Sequence, residues 1–179
     1  MKKLDRNQMA ARVARDIPEG SYVNLGIGLP TLVADHLPKG REIILHSENG
    51  VLGIGPKPPA GEEDEDLINA GKEPVTLLAG GAYFHHADSF GMIRGMHLDW
   101  AKKVLVMMEH LTKKGESKIV ERCSYPLTGA RCVNRIYTDL AVIDVKPDGL
   151  HVVDMVDGLS FEELQRLSGV PLRRLATAA

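Results

Sequence analysis

Short apolar runs alternate along this chain with longer segments of helical periodicity. The runs, rich in Val, Ile and Leu and bounded by glycine or proline, predict six strands, at residues 21–25, 42–45, 75–78, 103–108, 140–145 and 150–155. Apolar positions three or four residues apart predict four helices, at residues 4–17, 32–37, 87–96 and 160–168. The strand–helix–strand pattern over residues 21–48, with short connections, indicates an α/β fold with a largely parallel sheet.

The connections between these elements sharpen the predicted boundaries. Thr31 is a suitable N-cap for the second helix, and Ser160, followed three residues later by Glu163, forms a capping box for the last helix. The Lys-Pro-Asp-Gly sequence at residues 146–149 predicts a hairpin turn between the last two strands. The tail, residues 173–179, is expected to be frayed. Because no internal repeat or low-complexity linker interrupts the chain, residues 1–179 are expected to form one domain.

Composition and charge exclude several classes of partner. Of the 179 residues, 44% are apolar and 26% are charged, and the net charge is −2. Without a basic run, this balance argues against nucleic acid as the main partner. No apolar run approaches the length of a membrane span. The two cysteines, Cys123 and Cys132, lack a metal-binding spacing and fit a reducing compartment, so we expect a cytoplasmic protein without a bound metal.

The strongest candidate for chemistry is Glu48, which follows a buried strand. It stands in a Ser-Glu-Asn-Gly turn over residues 47–50. An open α/β sheet places its chemistry at the carboxyl ends of strands, and the glycines leave room for a ligand to approach. Amide groups of Asn49 and Gly50 could offset the cost of desolvating an ionised Glu48. On the pattern alone, a Glu48 that caps a helix or pairs with a surface lysine is an equal alternative.

Three weaker patterns accompany Glu48. Asn24 precedes the turn Gly26-Ile27-Gly28, and a strand, a glycine-rich turn and a helix in this order suit anion binding at the helix N-terminus. The same residues could form an ordinary tight turn, and they are not a full dinucleotide fingerprint. Lys72 is a candidate partner for a carboxylate, although a surface lysine is the simpler interpretation. Glu109 and His110 stand at another strand end, where a solvated pair is at least as good an interpretation.

Eight segments of the chain, in order, resemble the B subunit of the 3-oxoacid CoA-transferases, which are family I CoA-transferases. They lie at residues 7–14, 22–28, 47–56, 66–72, 89–95, 106–110, 126–129 and 138–142. Each segment is a weak signal, but together, in this order, they are very specific, and the resemblance runs over nearly the whole chain. The resemblance implies a three-layer α/β/α domain, an architecture that sugar-phosphate isomerases and deaminases share.

The resemblance also implies a reaction. Members with this B chain move CoA from succinyl-CoA to a 3-oxo acid, acetoacetate or 3-oxoadipate, through a thioester on the motif glutamate, here Glu48. Asn24, Gly26 and Gly28 would line the acyl pocket, and Lys72 would pair with a distal substrate carboxylate. The coenzyme A thioester is a substrate in this scheme, and no further cofactor is implied.

A partner is implied as well. The B subunits of two-subunit members associate with an A subunit of related fold, so the resemblance implies an A2B2 heterotetramer with Glu48 close to the A–B interface. The alternative from another functional class is a non-catalytic or ligand-sensing domain on the same fold, inactive through loss of the region between Gly95 and Val104.

One departure from the family concerns that region. Relatives carry about forty more residues after a segment like Arg94-Gly95, including strands of the sheet. Either the sequence omits a segment, or the chain is truly shorter. The first explanation is favoured, because losing core strands would leave backbone groups unpaired and expose apolar surface. Arg94, just before this region, is a weaker candidate for binding a substrate carboxylate.

Overall fold

The structure is a computed structural model that describes residues 2–98, 103–127 and 129–174, with the backbone alone over residues 93–98. The chain packs as two compact units, where the sequence predicts one domain. We name Ala10–Trp100 the N-terminal unit, and Met1–Met9 together with Ala101–Ala179 the C-terminal unit. The predicted shortening between Gly95 and Val104 includes residues 99–102, which lie outside the described residues.

The N-terminal unit is built on a four-stranded sheet in the order β1-β2-β3-β4. Its elements are most of α1 (Arg6–Asp16), β1 (Ser21–Asn24), a 3₁₀ helix (Leu29–His36), β2 (Ile43–Ser47), β3 (Val51–Ile54), β4 (Leu77–Tyr83) and α2 (His86–Leu98). Strands β1 and β2 are parallel, with Asn24 opposite His46, which confirms the predicted strand–helix–strand unit. The β2–β3 and β3–β4 pairs are antiparallel.

Two local predictions for this unit are wrong. The segment predicted as a helix capped by Thr31 is a 3₁₀ helix that already begins at Leu29. Thr31 lies inside it, and its hydroxyl donates to the Gly28 carbonyl at 2.8 Å. The sequence does not predict β3, because Gly53 and the glycines on either side of the strand, Gly50 and Gly55, indicate a turn. In the structure Gly53 has a φ of +82° where the β3–β4 register shifts, so this strand is bulged rather than absent.

The C-terminal unit is built on a five-stranded sheet in the order β5-β6-β7-β8-β9. Its elements are β5 (Val104–Met107), β6 (Val133–Tyr137), β7 (Ala141–Lys146), β8 (Gly149–Met155), α3 (Phe161–Leu167) and β9 (Leu172–Arg174). The predicted hairpin is confirmed as β7–β8. The predicted cap is confirmed too, since the Ser160 hydroxyl accepts the Glu163 amide at 3.1 Å. The expected fraying is wrong at its start, because Arg173 and Arg174 pair in parallel with β8.

A contiguous apolar core stabilises the C-terminal unit. It consists of Ile119, Leu140, Ala141, Ile143, Val152, Val156, Leu159, Leu164 and Leu172. Full burial of a Leu or Ile side chain contributes about 1.5–3 kcal/mol. The inward positions of β7 and β8 therefore fix their hairpin against α3.

The α/β class predicted from the sequence is confirmed, but the sheets are mixed. Among the strands that the structure describes, three pairs are parallel, β1–β2, β5–β6 and β8–β9. The other four are antiparallel, so the prediction of a largely parallel sheet is wrong. Short connections such as that of β7 and β8 allow only antiparallel pairing, whereas parallel neighbours need a crossover. Along the stretches that the structure describes, no helix is long and apolar enough to cross a membrane.

Candidate active site

Glu48 stands at the tip of the β2–β3 hairpin. Ser47 pairs with Val51, and the Gly50 amide donates to the Ser47 carbonyl at 2.9 Å, which closes the tip over residues 48–50. Gly50 has a φ of +105°, and a Cβ there would collide with the Phe84 carbonyl oxygen. Only glycine fits this close approach, so the turn holds Glu48 at a fixed place after β2.

The main chain and the side chain of Glu48 differ in their hydrogen bonding. Its carbonyl oxygen accepts a hydrogen bond of 2.8 Å from the hydroxyl of Ser89, a buried residue in the first turn of α2. Its side chain is half-buried and makes no hydrogen bond or ion pair with another described residue. The peptide is therefore anchored while the carboxylate keeps its oxygens available to a ligand.

The residues on either side of Glu48 fasten a neighbouring loop, residues 68–74. The Ser47 hydroxyl accepts the Ala70 amide at 2.8 Å, and the Asn49 side-chain amide donates to the Ile68 carbonyl at 2.7 Å. Lys72 lies in this loop with a φ of +63°, a backbone strain that often marks functional sites. The predicted residues Glu48 and Lys72 thus lie on two segments that are joined directly.

A cavity of about 460 Å³ opens within the N-terminal unit. Lys72 lines it, as do Ser47 immediately before Glu48 and His46 before that. The rest of the wall is mixed, with apolar side chains from several segments beside charged ones such as Arg41 and Glu73, which suits a site for a small molecule. Glu48, Asn24, Gly26, Gly28, Asn49 and Gly50 are not among its lining residues.

Asn24 and the two glycines after it have separate roles. The Asn24 side-chain amide donates to the His46 carbonyl at 3.1 Å and lies 3.2 Å from His46 Nδ1. Gly26 and Gly28 are exposed, and a Cβ at either position would meet nothing within 4 Å. Their backbone is therefore open to approach, whereas Asn24 is engaged with the strand that leads to Glu48.

The sequence does not point to His46 and Ser89. His46 is 3% exposed, Ser89 is fully buried, and the His46 Nε2 lies 3.0 Å from the Ser89 hydroxyl. Burial lowers the pKa of His46 below its usual range. The alternation along β2 could have placed His46 inward, but nothing in the sequence pairs it with a serine 43 residues away.

Of the two predicted residues that follow β5, Glu109 lies at the surface and His110 is buried. The Glu109 side chain is 49% exposed and lies 3.7 Å from the Lys118 ammonium. His110 is fully buried, with ring nitrogens 3.2 Å from the Thr138 hydroxyl and 3.0 Å from the Ser168 hydroxyl. The side chain of Arg94 lies outside the described residues. Among the side chains that are described, no three His, Cys, Asp or Glu residues cluster as metal ligands would.

Glu48 is a half-buried carboxylate without a partner among the described residues, and the residue before it lines a cavity. Such a group is suited to nucleophilic or acid–base chemistry on a small molecule. The chain belongs to the coenzyme A transferase family, whose model matches residues 6–102 and 101–166. The two matched blocks meet at Ala101 and Lys102.

Two relatives are similar over nearly their whole length. The B subunit of the 3-oxoadipate CoA-transferase of Pseudomonas putida is 56% identical over 208 residues, which cover 96% of this chain and 97% of the relative. The B subunit of the probable succinyl-CoA:3-ketoacid coenzyme A transferase of Bacillus subtilis is 43% identical. That alignment covers 90% of this chain and 92% of the relative. The first alignment is longer than the 179 residues of this chain, so that relative carries residues without a counterpart here.

A solved structure shares the fold. The acyl-CoA transferase of E. coli O157:H7, solved as a thioester complex with CoA, superposes with a TM-score of 0.61 at 14% sequence identity. The match covers 98% of this chain, which spans 42% of the length of that chain. At this identity the likeness supports the fold alone.

Proposed function

We propose that this chain is the B subunit of a 3-oxoacid CoA-transferase, which moves CoA from succinyl-CoA to a 3-oxo acid. The observation that carries the proposal is the 56% identity to the P. putida protein over almost the full length of both chains. The relative named for 3-oxoadipate is 56% identical, whereas the B. subtilis relative, named for a 3-ketoacid, is 43% identical. This difference favours 3-oxoadipate over acetoacetate as the acceptor.

Glu48 is the nucleophile in this proposal. One carboxylate oxygen attacks the thioester carbon of succinyl-CoA and expels the CoA thiolate, which leaves a mixed anhydride of succinate and Glu48. The thiolate then attacks the Glu48 carbonyl, so that succinate departs and a glutamyl-CoA thioester forms. The 3-oxo acid carboxylate repeats both steps in reverse and leaves as its CoA thioester. No proton or electron is transferred overall, and coenzyme A serves only as part of the substrate.

The geometry supports this role for Glu48. Its carboxylate has no partner among the described side chains, and the preceding residue, Ser47, lines the cavity. Lys72, on the wall of the same cavity, would pair with the distal carboxylate of the acid. Asn24, Gly26 and Gly28 would form the acyl side of the site. The backbone amide of Asn49 would stabilise the charged forms of Glu48, because the Gly50 amide already donates to the Ser47 carbonyl and the Asn49 side chain donates to the Ile68 carbonyl.

The remaining proposals concern assembly. We expect an A subunit to complete the site in an A2B2 heterotetramer, with Glu48 near the A–B interface. We place the protein in the cytoplasm, in keeping with its two free cysteines. The segment that relatives carry and this chain lacks would fall where the two matched blocks meet, near Ala101.

Trapping of the intermediate tests the reaction. The chain is copurified with its A subunit and mixed with succinyl-CoA without an acceptor, then treated with hydroxylamine or borohydride. Peptide mass spectrometry is expected to find the modification on Glu48. Modification at another residue would displace Glu48 as nucleophile. A complete lack of adduct in the assembled complex would favour a non-catalytic or ligand-sensing domain.

A further inference from the structure

A directed chain of hydrogen bonds runs through the N-terminal unit and ends on the peptide of Glu48. It starts at Asn24 on β1, passes through His46 on β2, and reaches Ser89 on α2. The histidine and the serine are buried, and buried polar groups are costly unless every donor and acceptor is matched. The pairing has to be complete for this arrangement to be stable.

The chemistry of the groups fixes the direction of each bond. The Asn24 amide nitrogen can only donate, and it faces both the His46 carbonyl, at 3.1 Å, and Nδ1, at 3.2 Å. The Nδ1 atom must then accept, which places the ring proton of a neutral His46 on Nε2. Burial lowers the pKa of His46, so the neutral ring is the stable form at pH 7.

The Ser89 hydroxyl completes the sequence. It accepts from His46 Nε2 at 3.0 Å, which leaves its own proton for a carbonyl oxygen. The Glu48 carbonyl is 2.8 Å away and the Ser47 carbonyl is 3.3 Å away, so Glu48 is the better acceptor. Every bond therefore points the same way, from Asn24 toward Glu48.

We propose that His46 and Ser89 are positioning residues for Glu48: their hydrogen bonds fix the peptide from which the nucleophilic carboxylate projects. The inference rests on the proposed function of Glu48. Neither residue is hydrogen-bonded to the carboxylate in the described structure. They act through the backbone, in a geometry where a shift of about 1 Å can cost roughly a hundredfold in rate.

A matched pair of serine variants tests the inference in the complex with the A subunit. Ser89→Ala removes the hydroxyl between His46 and Glu48. Ser168→Ala removes a hydroxyl that likewise lies between a buried histidine and a backbone carbonyl, but in the C-terminal unit. The Ser168 hydroxyl is 3.0 Å from His110 Nε2 and donates to the Leu164 carbonyl at 2.8 Å. The rate of adduct formation with succinyl-CoA is measured in a single turnover for each folded complex. We expect Ser89→Ala to lower it about 10- to 100-fold and Ser168→Ala to leave it unchanged.

Conservative substitutions of His46 separate positioning from simple packing. In His46→Gln the side-chain amide can place a donor where Nε2–H lies, so this variant should keep most of the wild-type rate of adduct formation. His46→Met fills a similar volume without a donor and should behave like Ser89→Ala. Equal rates in His46→Gln and His46→Met would show that only volume matters and would overturn the proposal.

Amide hydrogen exchange of residues 47–51 gives a readout that does not depend on catalysis. It should become faster in Ser89→Ala and stay unchanged in Ser168→Ala. If the wild-type complex forms the Glu48 adduct but the two serine variants form it at equal rates, the positioning role is wrong and the proposed function stands. If the wild-type complex forms no adduct, the proposed function fails, and an exchange difference would then mark a hydrogen-bond chain that is only structural.

Discussion

Two strand ends in this molecule carry a glutamate and a buried histidine, and they use them in different ways. At the end of β2, the ring of His46 is bonded through Ser89 to the peptide of Glu48. At the end of β5, the ring of His110 is bonded to Thr138 and Ser168, and neither of those bonds leads to Glu109. Burial lowers the pKa of both rings, so both are neutral bridges between other groups.

The difference lies in what the glutamate is free to do. Glu109 is solvated and lies within ion-pair distance of Lys118, whereas the Glu48 carboxylate is half-buried and has no partner in the described part of the chain. Residue type and position on a strand therefore do not identify a nucleophile. An anchored peptide with an unengaged carboxylate distinguishes Glu48 from Glu109.

Replacing the two glutamates gives the largest expected difference. Glu48→Gln should lower CoA exchange by roughly 10⁴-fold or more, because the amide is a poor nucleophile at the same volume. Glu109→Gln, the control, should leave the exchange rate unchanged. The measurement is steady-state transfer from succinyl-CoA in complexes of matched concentration. Substantial exchange in Glu48→Gln would place the nucleophile elsewhere.

The next effect separates scaffold from site. Leu164 is fully buried in the core of the C-terminal unit, so Leu164→Ala should lower the free energy of unfolding by about 2–5 kcal/mol. Denaturant titration measures this loss. Adduct formation per folded molecule should stay at the wild-type rate, and a large drop there would show that the C-terminal core also shapes the catalytic geometry.

A smaller loss is expected at Thr138, which serves the His110 network. Its hydroxyl oxygen accepts the buried amides of Leu140 and Ala141 at 3.1 and 2.9 Å. Thr138→Val leaves these buried donors without an acceptor and should lower the free energy of unfolding by about 1–3 kcal/mol. Thr112 is the matched control, since its hydroxyl accepts two amides in an exposed turn, where water can replace it. Equal losses in Thr112→Val and Thr138→Val would contradict this account of burial.

The smallest effect is on pH dependence. The folded pKa values of His46 and His110 lie below the ordinary value of 6.5. Near His110, the Asp139 charge opposes this lowering and Lys3 reinforces it. Between the folded and unfolded pKa values the unfolded chain binds more protons, so stability is complete above pH 6.5 and falls as the pH drops below it. Unfolding measured from about pH 7.5 to about pH 5.5 should show this decline, weakened in His110→Gln. A flat profile would mean that neither ring is held neutral.

Local signals in the sequence predict much of the fold and the position of the candidate nucleophile. The Ser-Glu-Asn-Gly turn, the β7–β8 hairpin and the Ser160 cap all depend on residues close in sequence. Strand β3 is missed because a bulged, glycine-containing strand has the composition of a loop. Strand β9 is missed because three residues become a strand only through pairing with β8.

The hydrogen bonds around Glu48 are harder to foresee for a related reason. Ser89 reaches Glu48 from 41 residues away, and Ala70 reaches Ser47 from 23 residues away. A single serine or a loop amide has no periodicity that would indicate such a contact. Only the packing of α2 and the 68–74 loop onto the end of β2 creates it.

The closed tip of the β2–β3 hairpin has a consequence for engineering. Ser47 pairs with Val51, so three residues span the tip and its length sets which side of the sheet each following residue faces. Inserting a single amino acid there would invert that facing for the whole of β3 or displace Glu48. Libraries that aim to change the accepted acid should therefore diversify residues 68–74 and keep the length of the 48–50 connection constant.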